Sequence, residues 1–338
     1  REPIKFLSTQ LAPIAETDQF NQQVLADFPD EVDFEPYDRR AIFGSLAESS
    51  LDDRPSLLGA LQTDLVEMFE RGLIAPVGDL TNRFIDRGFS TSLMALSRFD
   101  GVTDYMVPWM QATYLMIAHR SALEHLRDDQ SLDSLTYDDL VDWLTRIEEA
   151  TGRKPFGLPL GRQGLVHRFL QGFAYPSYTG RMVGGLRDRE AVDMWRMLRA
   201  LWRRSTPRSV NFAQMSDPLL SGEAIVAWDH TARISDAVRQ RPDEFVVFPA
   251  PIGPKGRGFL SVVAGLALPH NAPDLDGAVT LIDHLTLPTT QLTMMNAVGF
   301  LPVVSTQSEE GASGLQSMAA AARRQASGDE AIFAQLPS

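Results

Sequence analysis

The chain contains no cysteine in 338 residues. That removes disulfide stapling, thiol nucleophiles and cysteine-ligated zinc together. Cations are in short supply, with 31 Lys and Arg against 44 Asp and Glu and a formal charge of −13. Nucleic acid demands clustered Lys and Arg against its phosphates, so it is not expected as a partner. No apolar run is long enough to span a bilayer. There is no Gly-x-Ser-x-Gly elbow, no phosphate loop, no Gly-x-Gly-x-x-Gly fingerprint and no His-Glu-x-x-His pair. The six histidines are scattered, and His167, His270 and His284 read as surface residues or as residues supporting others from behind. Neither a metal nor another cofactor is expected.

What remains is a composition able to build a sizeable core. Hydrophobic residues make up 44% and charged residues 22%, which rules out wholesale disorder. The length exceeds that at which one core stops growing, so two lobes are expected. Arg1-Glu2-Pro3 has no signal-peptide apolar core and leads straight into Ile4-Lys-Phe-Leu7. This suits either a cytoplasmic protein or a mature chain whose export signal is gone.

Along the chain, Ile4 to Leu7 reads as a buried strand. A helix from Glu16 follows the spacing Phe20, Val24, Leu25, Phe28 and closes at Pro29. Val32 to Tyr37 returns to strand, Ser56 to Leu61 is apolar, and Asp64 to Arg71 is a helix ended by Gly72. This βαβα rhythm implies a parallel sheet covered by helices, with ligands beyond the carboxyl ends of its strands. The polar clusters Ser8-Thr-Gln10 and Gln62-Thr-Asp64 stand there. Thr136-Tyr-Asp-Asp139 resembles a capping box with Asp in place of Glu. Behind it Leu140, Trp143, Leu144 and Ile147 form an apolar stripe. Val192, Trp195, Leu198, Leu201 and Trp202 show the same period, so these tryptophans too read as packing. Thr113 to Ala118, Phe245 to Phe248 and Phe259 to Leu268 read as further strands. Helices are expected through Ala278, Leu281, Ile282 and Leu285, stopped near Pro288, then in a further helix leading to Gly299-Phe-Leu-Pro302, and over Leu315 to Gln325.

Trp109 and Trp228 are then the two rings outside a helical stripe. Trp228-Asp-His230, with Arg233 close behind, suits catalysis or a ligand pocket equally. Asp64 and Asp229 could form the carboxylate pair of a glycosidase, although spacing alone does not give their separation. Tryptophan faces stack on sugar rings, while Asp, Gln, His and Arg hydrogen-bond vicinal hydroxyls. Trp109, Trp228, Asp64, Asp229, His230, Arg233, Gln10, Gln62 and Gln111 supply that set.

Several segments, in order, carry a family resemblance. Gly72-Leu-Ile-Ala-Pro-Val-Gly-Asp-Leu80 is similar to a "G-L-I-x-P-L-x-D-L" stretch, and Val107-Pro-Trp109 to a "Y-G-x-P-x" segment. Leu135-Thr-Tyr-Asp-Asp-Leu140 looks like "P-x-T-W-D-E-L", and Ser221-Gly-Glu-Ala224 stands where "S-G-K-A-A-M" is usual. Phe248-Pro-Ala-Pro-Ile-Gly253 and Val298-Gly-Phe-Leu-Pro-Val303 resemble "P-L-P-x-G" and "G-x-x-P". From about Ile4 to Val304 the chain thus resembles the extracellular solute-binding proteins of ABC importers, in the family-1, maltose-binding-like, sugar-type group. It departs from that pattern at Leu7-Ser-Thr-Gln10, Arg54-Pro-Ser-Leu57 and Ala118-His-Arg120.

The resemblance implies an α/β, two-lobed periplasmic-binding-protein fold (type II, Venus-flytrap), each lobe a mainly parallel sheet flanked by helices. The N-terminal lobe would comprise 1–112 plus 264–304 and the C-terminal lobe 113–263 plus 305–338, with the ligand cleft between them. Crossing segments would run near Trp109 to Thr113 and Phe259 to Gly265. Hinge closure would trap a carbohydrate and present a surface to the membrane permease subunits. A monomeric, periplasmic or otherwise extracytoplasmic protein without enzymatic activity follows. Carried over by position, Gln10, Arg39 (with Arg40 beside it), Gln62, Asp64, Trp109, Gln111, Gly299 and Phe300 would line the ligand from the first lobe. Arg162, Gln163, Trp228, Asp229, His230 and Arg233 would do so from the second. The arginines also suit an anionic ligand, such as a phosphorylated or sulfonated sugar or polyol.

Overall fold

In a computed structural model of the chain, residues 2–48, 54–182, 184–306 and 314–334 are described. Residues 307–313 and 335–338 of the expected C-terminal lobe lie outside them. The strands, in chain order, are β1 (Ile4–Ser8), β2 (Val32–Pro36), β3 (Leu57–Leu61), β4 (Ile74–Ala75), β5 (Val107–His119) and β6 (Phe156–Gly157). They continue as β7 (Val226–His230), β8 (Phe245–Phe248), β9 (Arg257–Phe259), β10 (Ser261–Pro269) and β11 (Ala331–Phe333). The chain divides into two compact units, 1–111 with 262–307 and 112–261 with 308–338.

In the first unit β1 lies between β2 and β3, parallel to both, with Ser8 opposite Pro36 and Gly59. β10 adds antiparallel to β3 and β4. β3 and most of β10 are almost continuously apolar because both faces of the sheet are buried there, whereas β2, Val-Asp-Phe-Glu-Pro, alternates and buries only Phe34. Phe6, Phe20, Phe34 and Trp109 form the centre of this core, with Trp109 5.4 Å from Phe6 and 6.0 Å from Phe20, centroid to centroid. A Cβ at Gly59 would stand 2.7 Å from the Trp109 ring, so the indole occupies the space that glycine leaves open.

The helix expected from Glu16 is shorter than its apolar spacing suggests. It spans Ile14–Gln19, widens into a π-helical turn over Phe20–Val24 and stops before Phe28. The helix through Ala278, Leu281, Ile282 and Leu285 spans Leu275–Leu285 and stops before Pro288 as expected, and Pro288 opens the next, Pro288–Val298, at the first helical position, where a missing N–H costs nothing.

In the second unit β5 runs antiparallel to β7 and β8, and β7 is parallel to β6. A second small sheet pairs β9 with β11. The helix Tyr137–Thr151 starts on the expected capping box. Thr136 Oγ1 accepts from Asp139 N at 3.1 Å, and Asp139 Oδ2 accepts from Thr136 N at 3.1 Å. Gly152 closes it with φ 68°. Trp143 packs inside, its indole N–H donating to Ala122 O at 2.8 Å.

The burial of the other four tryptophans is the reverse of the sequence expectation. Trp109 and Trp228 are wholly buried, whereas Trp195 and Trp202 are 41% and 56% exposed. The helix Arg189–Arg204 packs through Ala191, Met194, Met197 and Leu201. That stripe is rotated by one residue, about 100°, from the one passing through Trp195 and Trp202.

Candidate functional site

The polar residues singled out from the sequence fall into one group in each unit. In the first unit β1, β2 and β3 are parallel, so their carboxyl ends open on one edge of the sheet. Beyond β1, Ser8 Oγ accepts from Gln10 N at 2.9 Å, and the Gln10 amide donates to Thr9 Oγ1 at 3.2 Å. Leu11 then takes a φ of 61°, left-handed for a branched side chain. Beyond β2, Arg39 opens a helix; beyond β3, Gln62 and Asp64 sit in the first turn of the helix Gln62–Glu70. An acidic side chain in a first turn faces the positive end of the helix dipole.

Arg39 and Asp64 are joined directly, Nε to Oδ1 at 2.7 Å, and Arg39 also pairs with Glu67. Arg39 and Arg71 both stand over the Phe43 ring, 5.0 and 4.7 Å from its centroid. Asp64 is largely covered while Arg39 is half-exposed, so the guanidinium fixes the carboxylate and faces solvent itself. Gln62 donates to Leu96 O at 3.4 Å. Elsewhere in this unit Gln111 bridges to the stretch after the helix Pro288–Val298. Its backbone exchanges hydrogen bonds with Leu301, and its side-chain amide donates to Pro302 O at 2.7 Å. Gly299 caps that helix with φ 82°, and Phe300 packs partly buried against the core.

In the second unit β7 ends at His230, opposite Tyr114 of β5. Tyr114 stacks on Trp228 with centroids 4.9 Å apart and planes 7° from parallel. Phe169 and Phe173 meet the same indole edge-on at 4.9 and 5.2 Å. Trp228 therefore has no face left for a ligand; it is a packing residue, and Trp109 is its counterpart in the first unit. Both indole N–H groups are buried without an acceptor, which shows that apolar packing, not hydrogen bonding, holds these rings.

Asp229 is completely buried. Its Oδ2 accepts from Met215 N at 2.9 Å and its Oδ1 from His230 N at 2.7 Å. Burial pushes its carboxyl up to about 7, against the opposing pull of those two N–H donors and of Arg233. His230 caps the helix Thr231–Gln240, its Nδ1 accepting from Ala232 N at 3.2 Å, and lies edge-on to Tyr114 at 5.0 Å. Burial, and then the Arg233 charge, lower its imidazole to about 4, so it is neutral at neutral pH. Arg233 donates to Gln163 O at 3.0 Å and to Ala213 O at 2.8 Å. Gln163 itself has φ 67°, and Arg162 beside it is exposed.

The structure thus gathers Asp229, His230, Arg233 and Gln163 around the end of β7, with Arg162 on the same loop as Gln163. Sequence reasoning missed Tyr114, which covers Trp228 and abuts His230. Its only signal was an aromatic residue at the entry to an apolar strand. It also missed two buried amides. Gln291 donates to Trp109 O at 2.8 Å and accepts from Val303 N at 3.0 Å. Gln325 donates to Thr113 Oγ1 and Tyr114 O, both at 3.0 Å. An isolated Gln in an amphipathic helix gives no sign of burial. Among the described residues no cluster of metal-ligating side chains occurs, and no helix is long and apolar enough to cross a membrane.

Two discontinuous α/β units, each with polar side chains at the carboxyl ends of its strands, define a fold of the kind found in solute receptors. Residues 49–321 match the family of bacterial extracellular solute-binding proteins, and the chain belongs to that family. Solved structures share the fold at low identity. UgpB from Mycobacterium tuberculosis, in complex with glycerophosphocholine, is 18% identical with a TM-score of 0.65, covering 90% of this chain and 80% of its own. The sugar-binding protein MalE from Xanthomonas citri is 17% identical with a TM-score of 0.69, at the same coverage. The apo form of RafE from Streptococcus pneumoniae is 14% identical with a TM-score of 0.71, covering 98% and 88%. No curated protein matches the chain.

Proposed function

We propose that this protein is the substrate-binding component of an ABC importer, capturing a carbohydrate outside the cytoplasm and delivering it to membrane permease subunits without turning it over. The observation that carries the reading is the set of hydrogen-bonding side chains at the carboxyl ends of parallel strands in a chain of this family. Gln10, Gln62 and Asp64 with Arg39 supply donors and acceptors from one unit. His230, Arg233, Gln163 and Arg162 supply them from the other, with Gln111, Gly299 and Phe300 as further candidates. Trp109, Trp228 and Asp229 act behind these groups, as packing and positioning residues. Capture by hinge closure, by a monomeric periplasmic protein, belongs to the same proposal.

The ion pairs favour a neutral sugar over a phosphorylated or sulfonated one. Arg39 is compensated by Asp64 and Glu67, and Arg233 is tied to two backbone carbonyls. The fork-forming Nε–Nη2 edge of Arg39 is thus already taken by two carboxylates, whereas Arg233 donates to its two carbonyls through Nη1 alone. A carboxylate-pair glycosidase is disfavoured on similar grounds, because Asp229 is sealed in the core and Asp64 is bound to Arg39.

Thermal unfolding in the presence of a panel of neutral and phosphorylated saccharides tests the reading. A ligand at a hundred times its Kd stabilises the native state by about 2.7 kcal/mol. A rise in Tm with a neutral saccharide, absent in Asp64→Ala, is the expected result. A rise only with anionic ligands, or none with any saccharide, would overturn it.

A further inference from the structure

Outside the polar groups, the least expected surface is the exposed face of the helix Arg189–Arg204. It carries Arg189, Val192, Trp195, Arg196, Arg199, Trp202 and Arg203. The two acidic residues of the helix stand on its flanks and are engaged. Asp193 pairs with Arg196 at 2.7 Å, and Glu190 faces Arg181 and Lys255. No ion pair of Arg199 or Arg203 is found among the described residues. In a chain of net charge −13, this is a local concentration of positive charge.

The same face is apolar in its rings. Trp195 is held by its indole N–H, which donates to Leu186 O at 3.1 Å, and Leu186 is itself 49% exposed. Beneath Trp195 and Trp202 runs a groove of about 450 Å³ floored by Leu158, Leu160, Val166 and Leu170. Only His167 and Arg199 bring polar groups to it.

We propose that this face docks on an anionic phospholipid bilayer, with Trp195 and Trp202 at headgroup depth and Arg199 and Arg203 on lipid phosphates. Indoles on a helical surface settle at the membrane interface, where one end of the ring is apolar and the other wet. Arginine forks match phosphate oxygens, and an amphipathic helix with a basic, tryptophan-bearing face lies in the interface plane without spanning it. Charge complementarity also sets orientation. The net charge of −13 is repelled by anionic lipid, which favours approach through this face. The groove offers the tail of a surface lipid an apolar bed. The inference is independent of which solute the protein carries.

Co-sedimentation of the full chain with phosphatidylcholine vesicles, with and without phosphatidylglycerol, tests it at low salt. The chain should bind the anionic vesicles, and roughly tenfold or more less well to pure phosphatidylcholine. Binding should weaken as salt rises. The surface variants Trp195→Ser/Trp202→Ser and Arg199→Gln/Arg203→Gln should each lose about tenfold while keeping the parent melting temperature. No binding to anionic vesicles, or undiminished binding by both variants, would overturn the proposal. So would a concentration-dependent dimer abolished by Trp195→Ser/Trp202→Ser, since the face would then belong to a second copy.

Discussion

Trp228→Ala separates a packing role from a ligand-stacking one. The ring is fully buried, stacked on Tyr114 and bounded edge-on by Phe169 and Phe173. Truncation removes one of the two fully buried tryptophans of the second unit's core and leaves three aromatic rings with an unfilled space among them. Substitutions of this kind cost about 3–5 kcal/mol, and aromatic pairs add to the burial term. Across domains of about 150–250 residues, 1 kcal/mol shifts Tm by about 2–4 °C, so a fall of roughly 6–20 °C is expected. Trp228→Phe is the informative partner. It keeps an aromatic ring against Tyr114 and removes an indole N–H that is buried without an acceptor, a group whose desolvation costs about 1–3 kcal/mol. Its loss should therefore be less than half that of Trp228→Ala. Urea unfolding followed by circular dichroism gives both values, and calorimetric titration with the saccharide found in the thermal panel gives affinity. If Trp228→Ala unfolds within about 1 kcal/mol of the parent and yet loses solute binding, the ring belongs to the ligand and the packing argument fails.

Other consequences follow from named groups. Asp229 has its folded pKa raised to about 7, so the native state holds a proton that the unfolded chain releases near 4; stability from this group falls as pH rises from about 4 to about 7. His230, lowered to about 4, works the opposite way between about 4 and 6.5, where only the unfolded state is protonated. The two slopes offset each other in the parent, and Asp229→Asn should unmask a stability that rises by about 1–3 kcal/mol over that window, measured by urea unfolding at stepped pH. A pH-independent variant would contradict the assignment. Gly59→Ala brings a methyl against the Trp109 ring and Phe6 and should cost about 1–3 kcal/mol, seen as a lower denaturation midpoint. Thr136→Ala removes the oxygen that accepts from Asp139 N and should cost about 0.5–2 kcal/mol, whereas Thr136→Ser should retain most of it.

Local rules read much of the fold from the chain. The apolar runs at Ile4, Ser56 and Phe245 are strands because they are short, rich in large aliphatic and aromatic residues, and bounded by polar turns. Thr136 and Asp139 cap a helix because side-chain oxygens three residues apart reach the free backbone N–H groups wherever that helix lies. Order of segments carried the family, since the same succession of strands and helix starts recurs with its spacing. Asp229, His230, Arg233 and Gln163 were legible as polar residues at apolar segment ends, but their roles were not. Asp229 is a buried acceptor for two backbone N–H groups, and Arg233 a clamp on two carbonyls, because Met215, Ala213 and Gln163 arrive from other parts of the chain.

The tryptophans mark where sequence stopped and tertiary structure decided. Helical periodicity picks out the stripe Val192, Trp195, Leu198, Leu201 and Trp202 on Arg189–Arg204, but a residue's rotation about the axis has meaning only against a neighbour. The packing of Ala191, Met194, Met197 and Leu201 inward leaves Trp195 and Trp202 in solvent. Trp109 and Trp228 stand in strands covered on both sides, where alternation carries no sign of an open face. Their burial depends on Gly59, Phe6, Tyr114, Phe169 and Phe173, contacts that come together only when the sheets are covered by their helices.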